Sequence, residues 1–214
     1  MYEEYFQNVL DVYTGKGWYE RHNRNDLVYL KRDYPKLPER FNYNQMQAEE
    51  KPMANRLALW IKTELDPDTV LDVGCGPGHF VESLRQVGLN ASGIDTDDRV
   101  IGKDYLTHKS LFDNTDKADV VLCLEVAEHI EESKSDNIVK VVVDATKKYL
   151  IWTAAHPGQG GIGHINCQTK DYWLKKFLAQ GMQQDTKLEE QLRTYIKSDS
   201  HLGWFPMNLI FLKK

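Results

Sequence analysis

The segment Val70-Leu71-Asp72-Val73-Gly74-Cys75-Gly76-Pro77-Gly78 constrains this chain more than any other. An apolar run ends in alternating glycines, and apolar residues resume beyond it from Phe80. Glycines at that point let a backbone turn sharply from strand to helix and approach a ligand closely. The helix start that follows offers unpaired N–H groups. Asp95 stands seventeen residues beyond Gly78, at the end of the next apolar run. A carboxylate there can accept both hydroxyls of a ribose.

The rest of the chain fits a βα alternation around that loop. Leu57, Ile61 and Leu65 recur every four residues, which predicts a helix from about Pro52 that Pro67 ends. Strands are expected at 69–73, 91–94, 105–109, 118–124, 149–154 and 207–212. Helices are expected at 80–87, 135–148, 169–180 and 187–197, with Gly88 and Gly181 as stops. Near-continuous apolar strands separated by helices mean a mainly parallel α/β sheet covered on both faces. Residues 1–51 lack periodicity. They read as an N-terminal extension with short helices at most, and its aromatic residues, Trp18 and Tyr19 among them, are placed to cover a site.

Bulk properties narrow the function. With 214 residues and 41% hydrophobic side chains, the chain can build a single core. The net charge of −5, with no obvious basic stripe, argues against a dedicated nucleic-acid binder. Cys75, Cys123 and Cys167 are widely spaced and form no CxxC pair, so no metal site is expected. No signal peptide or membrane-spanning run is evident, and a cytoplasmic setting is expected.

Two cofactors suit a glycine loop followed by an acidic residue. A dinucleotide requires G-x-G-x-x-G, so that its pyrophosphate can lie over the helix start. Here the third glycine comes one residue early, at Gly78, and the bulky His79 fills the later position. S-adenosylmethionine (SAM) has no phosphates and needs only close backbone approach. The spacing, with Asp72 just before it, favours SAM.

Three stretches, VLDVGCGPG at 70–78, GID at 93–95 and ADVVLCLEVAEHI at 118–130, resemble class I SAM-dependent methyltransferases. The likeness is to the small-molecule branch that includes the ubiquinone-biosynthesis O-methyltransferases, and it covers roughly residues 52–214. It implies a Rossmann-like seven-stranded, mainly parallel sheet with helices on both faces and one antiparallel strand near the C-terminus, where MNLIFLKK lies. It also implies that Asp72, Gly74, Cys75, Gly76 and Gly78 hold the methionine part of SAM and that Asp95 binds the ribose, with Thr96 beside the adenine. Ser110 and Leu111 flank the adenine edge; Leu124 and Glu125 border the sulfonium and amino group. Arg56 is assigned the SAM carboxylate, for which a guanidinium fork is suited.

Methyl transfer asks little of side chains beyond alignment and, at most, one base. His129 follows the fourth strand, where it either takes a proton or orders the chain. The loop at 155–166 carries four glycines, His156, His164 and Asn166 at the same expected sheet edge. His164 is a second candidate base, while His156 and Asn166 join Trp18 and Tyr19 as candidate substrate contacts. The expected activity is methylation of a small molecule at oxygen or nitrogen. RNA or protein acceptors, and a SAM-binding module without turnover, are the alternatives. The [DNS]-P-P-[YFW] motif of adenine-methylating DNA enzymes is replaced by Leu124-Glu125-Val126-Ala127.

Overall fold

The structure is a computed structural model that describes residues 43–113, 116–161, 163–197 and 203–214. The expected contacts Trp18 and Tyr19 lie outside the described residues.

Helix α1 spans Tyr43–Trp60, beginning inside the expected extension and carrying Pro52 within it. A proline inside a helix forfeits one backbone hydrogen bond. The buried face of Met53, Leu57, Ala58 and Trp60 compensates, because tertiary packing rather than propensity sustains most helices. The helix continues as one wide turn, Ile61–Leu65. It closes at Asp66, whose left-handed backbone (φ 39°) returns its N–H to the Ile61 carbonyl at 3.0 Å.

Beyond it come β1 (Val70–Val73), α2 (His79–Gln86), β2 (Ala91–Asp95), β3 (Leu106–His108), β4 (Ala118–Leu124), α3 (Ser135–Ala145) and β5 (Thr146–Thr153). The C-terminal part adds α4 (Lys170–Ala179), β6 (Gln183–Gln184), α5 (Thr186–Lys197), α6 (Trp204–Asn208) and β7 (Ile210–Lys213). Three details differ from the sequence expectation. Helix α3 stops three residues before Lys148, because Thr146 enters the sheet opposite Ala118. Strand β7 starts at Ile210, since the preceding residues form the short helix α6. The two-residue strand β6 is too short to leave a periodic signal.

The seven strands lie in the order β3-β2-β1-β4-β5-β7-β6. Only β7 runs against its neighbours, pairing antiparallel with both β5 and β6. Both faces are packed. Leu57, Ile61, Leu84, Leu192 and Phe211 fill one side, and Ile138, Val142, Trp152, Trp173 and Phe177 the other. The order reverses between β1 and β4, so the connections from these strands leave in opposite directions and open a crevice at their carboxyl ends. No helix among the described residues is long and apolar enough to cross a membrane.

Trp152 of β5 is fully buried, with its ring 5.2 Å from Trp173 and 5.0 Å from Phe177 of α4. Trp152→Ala should destabilise the fold by about 3–5 kcal/mol, seen as a lower urea midpoint.

Candidate active site

Gly74, Gly76 and Gly78 all have positive φ, at 82°, 51° and 89°. Backbone contacts fix the loop between β1 and α2. Gly74 N–H and Cys75 N–H both donate to the Ile94 carbonyl, at 2.9 and 3.1 Å. Gly76 N–H donates to Asp95 Oδ2 at 2.7 Å. Asp95 Oδ1 accepts from Asp97 N–H at 2.9 Å. Each carboxylate oxygen therefore keeps one lone pair, oriented and unused by these bonds. Gly78 also needs its missing side chain, since a Cβ would lie 2.5 Å from Leu106 Cδ1.

A cavity of about 300 Å³ opens over this loop, lined by Gly74, Asp95, Thr96, Leu111, Glu125, Val126, His129 and Ile130. That volume lies in the range of small-molecule sites. Five expected cofactor contacts, Gly74, Asp95, Thr96, Leu111 and Glu125, thus meet in one space with the candidate base His129. Val126 and Ile130 line it too, although as plain apolar residues they carry no chemical signal in the sequence.

Other expected contacts among the described residues are not part of that lining. Asp72 and Cys75 are buried beneath the loop, and Leu124 packs against the core. Ser110 Oγ accepts from Phe112 N–H at 3.2 Å, next to Leu111. Arg56 turns toward α5, donating to the Tyr195 carbonyl and lying 4.6 Å over the Tyr195 ring. His156 Nδ1 donates to the Pro157 carbonyl at 2.9 Å. Asn166 is buried, donating through Nδ2 to Ser135 Oγ at 3.1 Å and accepting from Gln168 at 2.9 Å. Its backbone N–H and that of Ile165 bind the Glu128 carbonyl, so Asn166 pins the loop to the end of β4.

Acidic groups dominate the crevice. Burial, reinforced by the charge of Asp95, pushes the Asp72 carboxyl up to about 8. Glu125 adopts a left-handed backbone (φ 53°) at the end of β4. Its Oε1 accepts from Asn208 Nδ2 at 3.0 Å and its Oε2 from Gln159 Nε2 at 2.9 Å. Asn208 Nδ2 also donates to Gln159 Oε1 at 2.9 Å, which closes a triangle. Gln159 and Asn208 escape sequence reasoning because ordinary amides 49 residues apart show no shared pattern. Burial also raises Glu125, and it raises Glu128 strongly, with the neighbouring Glu125 charge adding to the effect.

Glu128 is fully buried, its carboxyl set beside that of Glu125 and near the backbone of Glu128 itself and Ala155. Beside it, the His129 and His164 rings meet edge to face at 4.9 Å. His129 Nδ1 lies 3.1 Å from the Gly163 carbonyl, and an oxygen acceptor there makes Nδ1 the donor. His164 Nδ1 is buried without a partner, and burial lowers that ring's pKa. One ligand atom from each of Glu128, His129 and His164 lies within 4.8 Å of the others, a grouping able to hold a metal ion. Cysteine spacing, on which the expectation of no metal rested, carries no information about such a set.

A profile for the family described as "Methyltransferase domain" matches residues 41–181. The chain belongs to this methyltransferase family. The ubiquinone biosynthesis O-methyltransferase of Rickettsia bellii is 29% identical over 63% of this chain and 68% of its own length. The mitochondrial ubiquinone biosynthesis O-methyltransferase of Saccharomyces cerevisiae is 29% identical over 69% of this chain, which spans about half (51%) of that relative. In fold, the chain is similar to magnesium protoporphyrin IX methyltransferase from Synechocystis PCC 6803, solved with bound SAM. The TM-score is 0.56 at 16% identity, covering 99% of this chain and 96% of that one.

The residues present fit SAM. Asp95 offers oriented acceptors, and a Cβ on Gly76 would meet nothing within 4 Å, so the loop leaves room for a ligand there. The cavity lining includes Asp95 and Glu125 and, among the described residues, no lysine or arginine. That suits a cationic sulfonium and disfavours a pyrophosphate.

Asp72 binds its proton more tightly folded than unfolded, so its contribution to stability is present below the unfolded value of 3.8 and is lost as pH rises to about 8. Unfolding free energies of wild type and Asp72→Asn, compared between those limits, should diverge to the wild type's disadvantage as pH rises, at up to about 1.4 kcal/mol per pH unit.

Proposed function

We propose that the enzyme transfers the methyl group of SAM to an oxygen of a small-molecule acceptor. One observation carries this reading: the cavity that joins Asp95 to Glu125 also reaches the imidazole of His129. When bound, SAM supplies an electrophilic methyl group on a positively charged sulfur. Asp95 would take the ribose hydroxyls, Thr96 and Leu111 the adenine side, and Gly74 and Glu125 the methionine side.

His129 would stand at the acceptor end. Its Nδ1 is engaged by Gly163, which orients the ring, and the imidazole would take the proton that a hydroxyl gives up as its oxygen is methylated. An alcohol or phenol needs that help; a neutral amine attacks through a lone pair and sheds its proton afterwards. The description of two curated relatives as O-methyltransferases supports the same preference. A cytoplasmic setting belongs to this reading.

Isothermal titration calorimetry with SAM and S-adenosylhomocysteine tests the cofactor half. Wild type should bind both, and Asp95→Ala should weaken binding by about 10- to 100-fold, as expected for loss of hydrogen bonds to a charged acceptor. Absence of binding at high micromolar ligand defeats the reading. For the acceptor half, turnover of phenol and amine panels with methyl-labelled SAM should give labelled ethers rather than labelled amines.

A further inference from the structure

Among the described residues, two that are not glycine have a positive φ, Asp66 and Glu125. Asp66 closes a helix. Glu125 closes none, and a left-handed backbone at such a residue persists only where its surroundings impose it. Three contacts impose it here. Glu125 N–H is held by Thr153 of β5, through the carbonyl at 3.0 Å and Oγ1 at 3.1 Å. Its Oε2 accepts from Gln159 Nε2 at 2.9 Å, in the glycine-rich loop. Its Oε1 accepts from Asn208 Nδ2 at 3.0 Å, at the end of α6.

Asn208 is only 2% exposed. Its Nδ2 serves both Glu125 and Gln159 Oε1, the second at 2.9 Å. Its Oδ1 is buried and meets no donor among the described residues. For packing alone this is a poor arrangement, since a buried acceptor without a donor is costly and an apolar side chain of the same shape can be nearly neutral. What the amide supplies is direction: one donor to Oε1 of Glu125, and one to the side chain that holds Oε2. Gln159 is tied in turn by its backbone, whose N–H donates to the His156 carbonyl at 3.0 Å. The loop after β5 and the helix before β7 thus converge on one carboxyl.

We infer that Gln159 and Asn208 are positioning residues that fix Glu125 in the shape that receives the methionine part of SAM. The inference rests on the proposed assignment of Glu125 to the methionine side. The cavity lining includes Glu125 but neither Gln159 nor Asn208, so the two amides act through Glu125 rather than on the ligand. A wall residue held in advance need not be ordered when the ligand arrives, which lowers the entropic cost of binding. The ribose and adenine side of the cavity is built by Asp95, Thr96 and Leu111, near the ends of β2 and β3 and outside the triangle. Loss of either amide should therefore be felt at one end of the cofactor only.

The test is calorimetry on full-length wild type, Gln159→Met and Asn208→Leu, variants that remove an amide and keep most of its volume. Three ligands are titrated: SAM, S-adenosylhomocysteine and 5′-methylthioadenosine, which keeps the adenine, ribose and sulfur but lacks the amino-acid part. Both variants should bind SAM and S-adenosylhomocysteine about 5- to 30-fold more weakly, the span of one or two lost hydrogen bonds to a carboxyl group. All three proteins should bind 5′-methylthioadenosine alike, within about twofold, because a group the ligand lacks cannot couple to the substitution. Circular dichroism confirms that each variant is folded, and either variant alone decides the matter. Equal losses for S-adenosylhomocysteine and 5′-methylthioadenosine would mean a general loosening of the site and overturn the inference. So would S-adenosylhomocysteine affinities that match wild type in both variants. Wild type that binds none of the three ligands defeats the cofactor reading and this inference with it, a failure distinct from the other two.

Discussion

The contact between Asp95 and the amide of Gly76 holds the working part of this molecule together. At 2.7 Å it ties the end of β2 to the middle of the loop that leaves β1, while the Ile94 carbonyl collects the amides of Gly74 and Cys75. Three consecutive amides of the loop are thus anchored to one neighbouring strand. These anchors set the loop's shape, which needs positive φ at three positions that glycine fills without steric cost. What lies open above it is the crevice where the strand order reverses, so the cofactor cradle follows directly from the sheet's topology.

The second constraint is charge. Asp72, Asp95, Glu125 and Glu128 converge on the ends of β1, β2 and β4, and burial lifts the first and last two above ordinary carboxylates. Carboxyl groups gathered in this way destabilise a fold unless something cationic or protic shares the space. Here the protein supplies amides to Glu125 through Gln159 and Asn208, and backbone N–H groups to Asp95. To Glu128 it offers backbone groups, of Glu128 itself and of Ala155, beside the Glu125 carboxyl. A cationic sulfonium in the cavity would answer part of this surplus.

Much of this was legible in the sequence because it depends on local patterns. Strand β4 has the bounds expected from the run at 118–124, where Val120, Val121 and Leu122 are uninterrupted, and Asp95 stands at a strand end after a glycine loop, as its spacing implies. Boundaries set by tertiary pairing were not legible. Nothing local tells Thr146 to leave a helix and pair with Ala118. The helix through Pro52 forms because its apolar face is buried. Arg56, read as a ligand for the cofactor's carboxylate, is engaged by Tyr195, 139 positions away. Asn166, read as a substrate contact, serves as a buried brace for the loop, a role the same amide in the same sequence could not disclose. Long-range polar partners, unlike apolar periodicity, leave no repeat to read.

One set of long-range partners braces Glu125 in the cavity wall. The triangle of Glu125, Gln159 and Asn208 joins the end of β4, the glycine-rich loop after β5 and the helix before β7, so three separate stretches of chain meet at Glu125. The most direct measurement is an NMR experiment on the protein bound to SAM labelled with ¹³C at the methyl carbon. The account predicts nuclear Overhauser contacts from that methyl to the His129 ring and the Ile130 side chain. A bound methyl whose contacts fall on neither residue would contradict it.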